Sequence, residues 1–133
     1  MCETCGCNIT PSNAHVGESV EVLQGLLAAN DHQAAHNREH FKRHGVRAIN
    51  LMSSPGAGKT ALLEATIDVL GSDLSFAVIE GDLETENDAE RIRAKGVKAF
   101  QISTGSACHL DAHMVHDALH ELDLDGVDVL FIE

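Results

Sequence analysis

Four sets of residues in this 133-residue chain have the types and spacing to do chemistry. The first is Ser53–Ser54–Pro55–Gly56–Ala57–Gly58–Lys59–Thr60, with Ile49–Asn50–Leu51–Met52 before it and Ala61–Leu62–Leu63 after it. A mostly apolar strand, a glycine-bearing turn and a helix opening at Lys-Thr make the layout of a phosphate-cradling P-loop. The helix start offers unpaired backbone N–H groups and a positive dipole end, both suited to phosphate oxygens. Gly56 and Gly58 let the backbone curl around a ligand without Cβ clashes. Ser54, Gly56, Ala57, Gly58, Lys59 and Thr60 are therefore the candidate nucleotide-binding residues. Lys59 reaches the outer phosphates, and the Thr60 hydroxyl suits Mg²⁺. The common pattern opens with Gly five residues before Gly58, where this chain has Ser53. The competing reading is an ordinary strand–turn–helix corner.

The second set is Cys2, Cys5 and Cys7, three thiols within the first seven residues. A terminal arm cannot bury all three, so they read as metal ligands, with a redox pair or no function at all as the alternatives. Three thiolates leave one donor missing for four-coordination. Trimming of Met1 would supply it as the α-amine of Cys2. Amine plus thiolates suits square-planar Ni²⁺, whereas tetrahedral Zn²⁺ also accepts thiolates.

The remaining two sets are histidines. His32, His36, His40 and His44 recur every four residues, so they climb one side of a helix. His109, His113, His116 and His120 lie opposite Leu110, Met114, Ala118 and Leu122 on a later helix. Imidazoles one turn apart can share a metal ion, but two solvated polar faces would look the same. Cys108–His109, just after Thr104–Gly105–Ser106, is a soft-metal pair at a helix mouth. His113, one turn further, is a weaker candidate ligand.

These groups need elements to position them. Residues 1–15 read as a flexible metal-binding arm, with Pro11, Ser12 and Asn13 as loop formers. Residues 16–45 read as an amino-terminal helix running from about Gly17 to His44. Val20, Leu23, Leu27, Ala34 and Phe41 share one face, and Gly45 is the stop. Residues 46–133 read as a nucleotide domain. Its strands are expected at Arg47–Met52, Ser75–Glu80, Lys98–Ile102 and Val127–Ile132, and its helices at Lys59–Leu70, Glu86–Lys95 and Leu110–Leu122. Alternating strand and helix predicts an α/β fold, a parallel sheet covered on both faces. Ligands bind such sheets at the carboxyl ends of the strands. The P-loop, Gly81–Asp82 and Glu133 all fall there.

Composition narrows the function. The net charge is −12, which argues against nucleic acid as a partner. No run of about 18 apolar residues predicts a membrane span. The start carries no secretory signal, so the chain reads as cytoplasmic. Nine histidines with no Trp or Tyr point toward metal handling. The sequence stops at the end of a strand and holds no Asn-Lys-x-Asp element for reading guanine. It therefore reads as a fragment or a prematurely ended chain.

Cys2–Glu3–Thr4–Cys5–Gly6–Cys7, Ser53–Thr60, Glu80–Gly81–Asp82–Leu83–Glu84–Thr85, Thr104–His113 and Phe131–Ile132–Glu133 together resemble the HypB family, nickel-incorporating GTPases of [NiFe]-hydrogenase maturation. The resemblance covers nearly the whole chain. It implies a P-loop GTPase domain with GTP as substrate and Mg²⁺ as cofactor, and Ni²⁺ at the Cys2–Cys5–Cys7 site. It implies that Lys59 contacts phosphates and Thr60 holds Mg²⁺. Asp82 would lie in the first switch near Mg²⁺ and the attacking water, and Glu133 in a Walker-B-like second position. Cys108 and His109 would form a nickel or zinc site at the interface of a metal- and nucleotide-dependent homodimer, completed by a cysteine just past Glu133. The implied partners are maturation chaperones and the hydrogenase large subunit. Two other functions compete: a urease-type nickel GTPase, and a non-catalytic nickel-sequestering fragment.

Overall fold

The structure, a computed structural model, describes residues 16–82, 87–104 and 110–133, and of residues 16–22 and Asp82 the backbone alone. Cys2, Cys5 and Cys7, the arm of residues 1–15, and the Cys108–His109 pair lie outside the described residues. The elements run α1 (Val16–His44), β1 (Arg47–Asn50), α2 (Lys59–Leu70), β2 (Phe76–Asp82), α3 (Asn87–Arg93), β3 (Lys98–Ser103), α4 (Ala112–Glu121) and β4 (Val129–Ile132).

Every expected element is present, and the differences fall at their ends. The first strand stops at Asn50 rather than Met52, where the chain turns into the P-loop. The second runs two residues beyond Glu80, because Gly81 and Asp82 still pair with Ile102 and Ser103. The last helix starts at Ala112 rather than Leu110, because Asp111 takes the capping position. Gly45 does end α1. Its φ of 68° is left-handed. Its N–H donates to Lys42 O at 3.1 Å, and that of Val46 donates to Phe41 O at 2.9 Å. This is the double bond of a Schellman stop, sealed by Phe41 packing with the Val46 cluster.

The four strands are all parallel, in the order β1-β4-β2-β3. Alternate side chains feed two cores, as the two-residue strand period requires. Ala77, Ile79 and Leu130 face Val115, Ala118 and Leu119 of α4. Phe76, Val78 and Phe131 face Leu63 and Ile67 of α2 and Ile92 of α3. The sheet is thus covered on both faces, except at β1. That strand lies at an edge, and all four of its residues are exposed.

The apolar stripe of α1 is only partly used. Phe41 packs against the core, but Leu23 and Leu27 are 50% and 54% exposed. A 29-residue helix is about 44 Å long at 1.5 Å per residue, longer than the α4 it packs against. Among the described residues, no helix is long and apolar enough to cross a membrane.

Candidate nucleotide site

The carboxyl ends of the strands open into a cleft of about 1340 Å³, lined by Gly56, Gly58, Lys59, Thr60, Glu80 and Glu133 among others. Parallel register explains the convergence. Leu51 N–H donates to Ile132 O at 2.8 Å, Glu133 N–H to Ile79 O at 2.9 Å, and Gly81 N–H to Glu133 O at 2.9 Å. These bonds seat Glu133 between the P-loop and the end of β2, though it is 73 residues from Thr60 in sequence.

The loop from Ser53 to Gly58 is shaped by its glycines. Gly56 and Gly58 have φ of 75° and 95°, a region that costs an L-residue side chain roughly 1–2 kcal/mol. Gly58 sits at the cap of α2 and supplies no side-chain hydrogen bond. The first-turn N–H groups of α2 are therefore left for something other than a cap. An acid would complement the helix dipole, yet α2 has none in its first turn and begins with Lys59.

Lys59 Nζ donates to Ser53 Oγ at 3.2 Å and lies 3.9 Å from Glu133 Oε1. Ser53, the departure from the common pattern, thus provides a resting partner for the ammonium. Thr60 Oγ1 donates to Glu133 Oε1 at 3.5 Å. The Glu133 side chain is only 8% exposed. A hydroxyl and a carboxylate meeting at a helix start are hard oxygen donors of the kind Mg²⁺ takes alongside phosphate. The residues present fit that ion.

Asp82 ends β2 on the same edge, in register with Ser103. Gly81 beside it has a steric duty. A Cβ there would stand 2.6 Å from Leu110 Cδ2 and 2.8 Å from its Cγ. Leu110 opens the segment into α4, so the bare Gly81 is what lets that segment close over β2. His113 is exposed on α4 and away from the cleft lining.

Sequence reasoning missed two contributors. Glu80 is 4% exposed at the floor of the cleft. Arg91 lines it and bridges Glu64 of α2 at 2.6 Å and Asp88 at 3.0 Å. The hydrogen bond it donates to Glu64, then the Glu64 charge, holds the guanidinium above its ordinary pKa. The Asp88–Arg91 spacing was visible, but its reach to Glu64, 27 residues away, was not.

Residues 47–133 match the family described as CobW/HypB/UreG, nucleotide-binding domain. The chain belongs to that family. It is 54% identical over 114 residues to the hydrogenase maturation factor HypB of Rhizobium leguminosarum bv. viciae, covering 86% of this chain and 38% of that protein. It is 50% identical over 120 residues to the hydrogenase/urease maturation factor HypB of Helicobacter hepaticus, covering 87% and 49%. The fold matches the crystal structure of HypB from Helicobacter pylori in complex with nickel, with TM-score 0.75 and 47% identity, over 79% of this chain and 50% of that one. HypB from Archaeoglobus fulgidus follows with TM-score 0.71 and 42% identity, over 80% and 51%. The resemblance to HypB read from the sequence therefore holds. The chain spans about half the length of these relatives or less.

Proposed function

We propose that this chain is the nucleotide-binding portion of a metal-regulated GTPase that binds nickel and assists its insertion into the [NiFe]-hydrogenase large subunit. The observation that carries this reading is the open start of α2, with Lys59 and Thr60 facing the buried carboxylate of Glu133. In the reading, the backbone N–H groups of residues 56–60 and the Lys59 ammonium bind the outer phosphates of GTP. Lys59 exchanges Ser53 and Glu133 for phosphate oxygens, so its charge stays paired throughout. Thr60, Glu133 and Asp82 hold Mg²⁺, which when bound draws charge from the phosphates during cleavage. Asp82 orients the attacking water. Gly81 keeps this edge thin enough for Leu110 to pack against it.

Nickel binds Cys2, Cys5 and Cys7 in this reading. Cys108 and His109 hold nickel or zinc at a homodimer interface, with His113 as a peripheral ligand. The partners are maturation chaperones and the hydrogenase large subunit, in the cytoplasm. The hydrogenase/urease name of the Helicobacter hepaticus relative supports delivery to urease as a second use of the same machinery.

Calorimetry with Mg²⁺ and GTP, ATP or a non-hydrolysable GTP analogue tests the nucleotide reading on this chain. Saturable binding of a triphosphate, lost in Lys59→Ala, is the expected result. No binding of any triphosphate leaves the metal-sequestering alternative in its place. Thiolate-to-nickel absorption that survives replacement of Cys2, Cys5 and Cys7 by Ala would remove the amino-terminal site.

A further inference from the structure

The two histidine sets sit about seventy residues apart in sequence, but the fold brings their carboxyl-terminal halves together. Helix α1 packs along α4. Asn37, 4% exposed, is the hinge of that contact. Its Nδ2 donates to Ala112 O at 2.8 Å, which turns its Oδ1 toward His116 Nδ1 at 3.2 Å. An amide oxygen only accepts, so His116 carries its proton on Nδ1 and presents Nε2 as a lone pair. That Nε2 lies 3.1 Å from Nε2 of His120, one turn further on. The two rings stand edge to face at 86°, centroids 4.6 Å apart.

The α1 side mirrors this arrangement. His40 and His44 pair at 4.7 Å between centroids. His44 Nδ1 lies 3.2 Å from Asp125 Oδ1, a carboxylate that again leaves Nε2 as the open nitrogen. Fixing one ring nitrogen with an amide or carboxylate so that the other faces outward is how proteins prepare metal-binding imidazoles. His40 lies on α1 one turn past Asn37, the residue that holds His116, and one turn before His44. Burial first, then the charges of His44, Arg43, His120 and His116, lower the His40 pKa. Among the described residues, no three metal-ligating side chains already stand at coordinating spacing. An ion would therefore draw a third ring in by rotation, and His40, one turn past the Asn37 that holds His116, is the ring on α1 placed for it.

We propose that His116 and His120, joined by His40 across the α1–α4 contact, bind one divalent ion of borderline softness, such as Ni²⁺ or Zn²⁺. None of the three imidazoles lines the nucleotide cleft, and the site stands or falls independently of the GTPase reading. Imidazole suits such ions, and open positions would be filled by water. The ion would clamp α1 to the domain, adding to the hydrogen bonds that run from Asn30 and Asn37 to Ala112 and His116. His32 and His36, an edge-to-face pair on α1 with centroids 4.8 Å apart, are exposed and take no part.

The test uses the whole chain with Cys2, Cys5, Cys7 and Cys108 changed to Ser, which removes the thiolates. Calorimetric titration with Ni²⁺, and separately with Zn²⁺, should show one ion per chain and a rise in the unfolding temperature. His120 is exposed, so His120→Ala should leave the metal-free unfolding temperature unchanged and weaken binding about tenfold or more, in line with losses seen around metal sites. His40→Ala should weaken it similarly, while His32→Ala with His36→Ala should not. No binding by the cysteine-free chain overturns the proposal. So does unchanged affinity in His120→Ala, or an equal loss in the His32/His36 double variant. A loss in His120→Ala with none in His40→Ala reduces the site to α4 alone and overturns the clamp.

Discussion

Helices α2 and α4 both begin beyond the carboxyl end of a strand, yet α4 closes its own amino terminus and α2 leaves its terminus open. At α4, the Asp111 side chain accepts from the Met114 N–H at 2.8 Å in extended backbone, the geometry of a self-sufficient cap. At α2 the cap position is a left-handed glycine with no side chain to offer, and the first helical residue is a lysine. A cation there opposes the helix dipole by roughly 0.3–1 kcal/mol. The contrast teaches that a helix start which breaks local rules, beside one that obeys them, marks where a ligand completes the structure.

The sharpest way to break the comparison is Lys59→Ala. A charge-assisted contact is worth about 1.5–3 kcal/mol, so Mg²⁺-GTP affinity should fall by one to two orders of magnitude or more. The far-UV spectrum should not change. Equal affinity by calorimetry would make the open terminus a structural corner.

Next is Gly81→Ala, at the tie between the two helix starts. The new methyl overlaps Leu110, and overpacking of this kind costs roughly 1–3 kcal/mol. A denaturant melt should show that loss. An unchanged midpoint would mean that Leu110 swings aside freely.

Gly58→Ala comes third. Its added Cβ meets no atom within 4 Å, so the cost is conformational, roughly 1–2 kcal/mol for a left-handed L-residue. Stability and triphosphate affinity should both drop. A loss of stability with affinity unchanged would remove the loop's curvature from the phosphate argument.

The smallest effect is at the obedient helix. Asp111→Ala should cost about 1 kcal/mol of stability through the lost cap, with Asp111→Asn retaining most of it. Triphosphate affinity should stay the same in both. A matching fall in affinity would show that the closed terminus also serves the cleft.

The phosphate loop was legible because its information is local. Two glycines, a Lys-Thr pair and flanking apolar residues constrain backbone dihedrals within a dozen positions, and α2 runs from Lys59 to Leu70 as the pattern predicts. Gly45 as the stop of α1 was legible for the same reason. Strand and helix alternation also fixed the parallel sheet, since parallel strands need crossovers long enough to hold a helix.

Long-range choices were not legible. The insertion of β4 between β1 and β2 puts Glu133 beside Lys59 and Thr60, and spacing along the chain carries no trace of strand order. Arg91 meets Glu64 only because α2 and α3 share a face. The stripe of α1 gave Leu23 and Leu27 the same standing as Phe41, but only the length of α4 decides which of them finds a partner. His40 and His116 sat on two separate helix faces in the sequence. Periodicity gives each helix its faces; the packing angle and register of α1 on α4, set by Asn30 and Asn37 against Ala112, determine which faces meet.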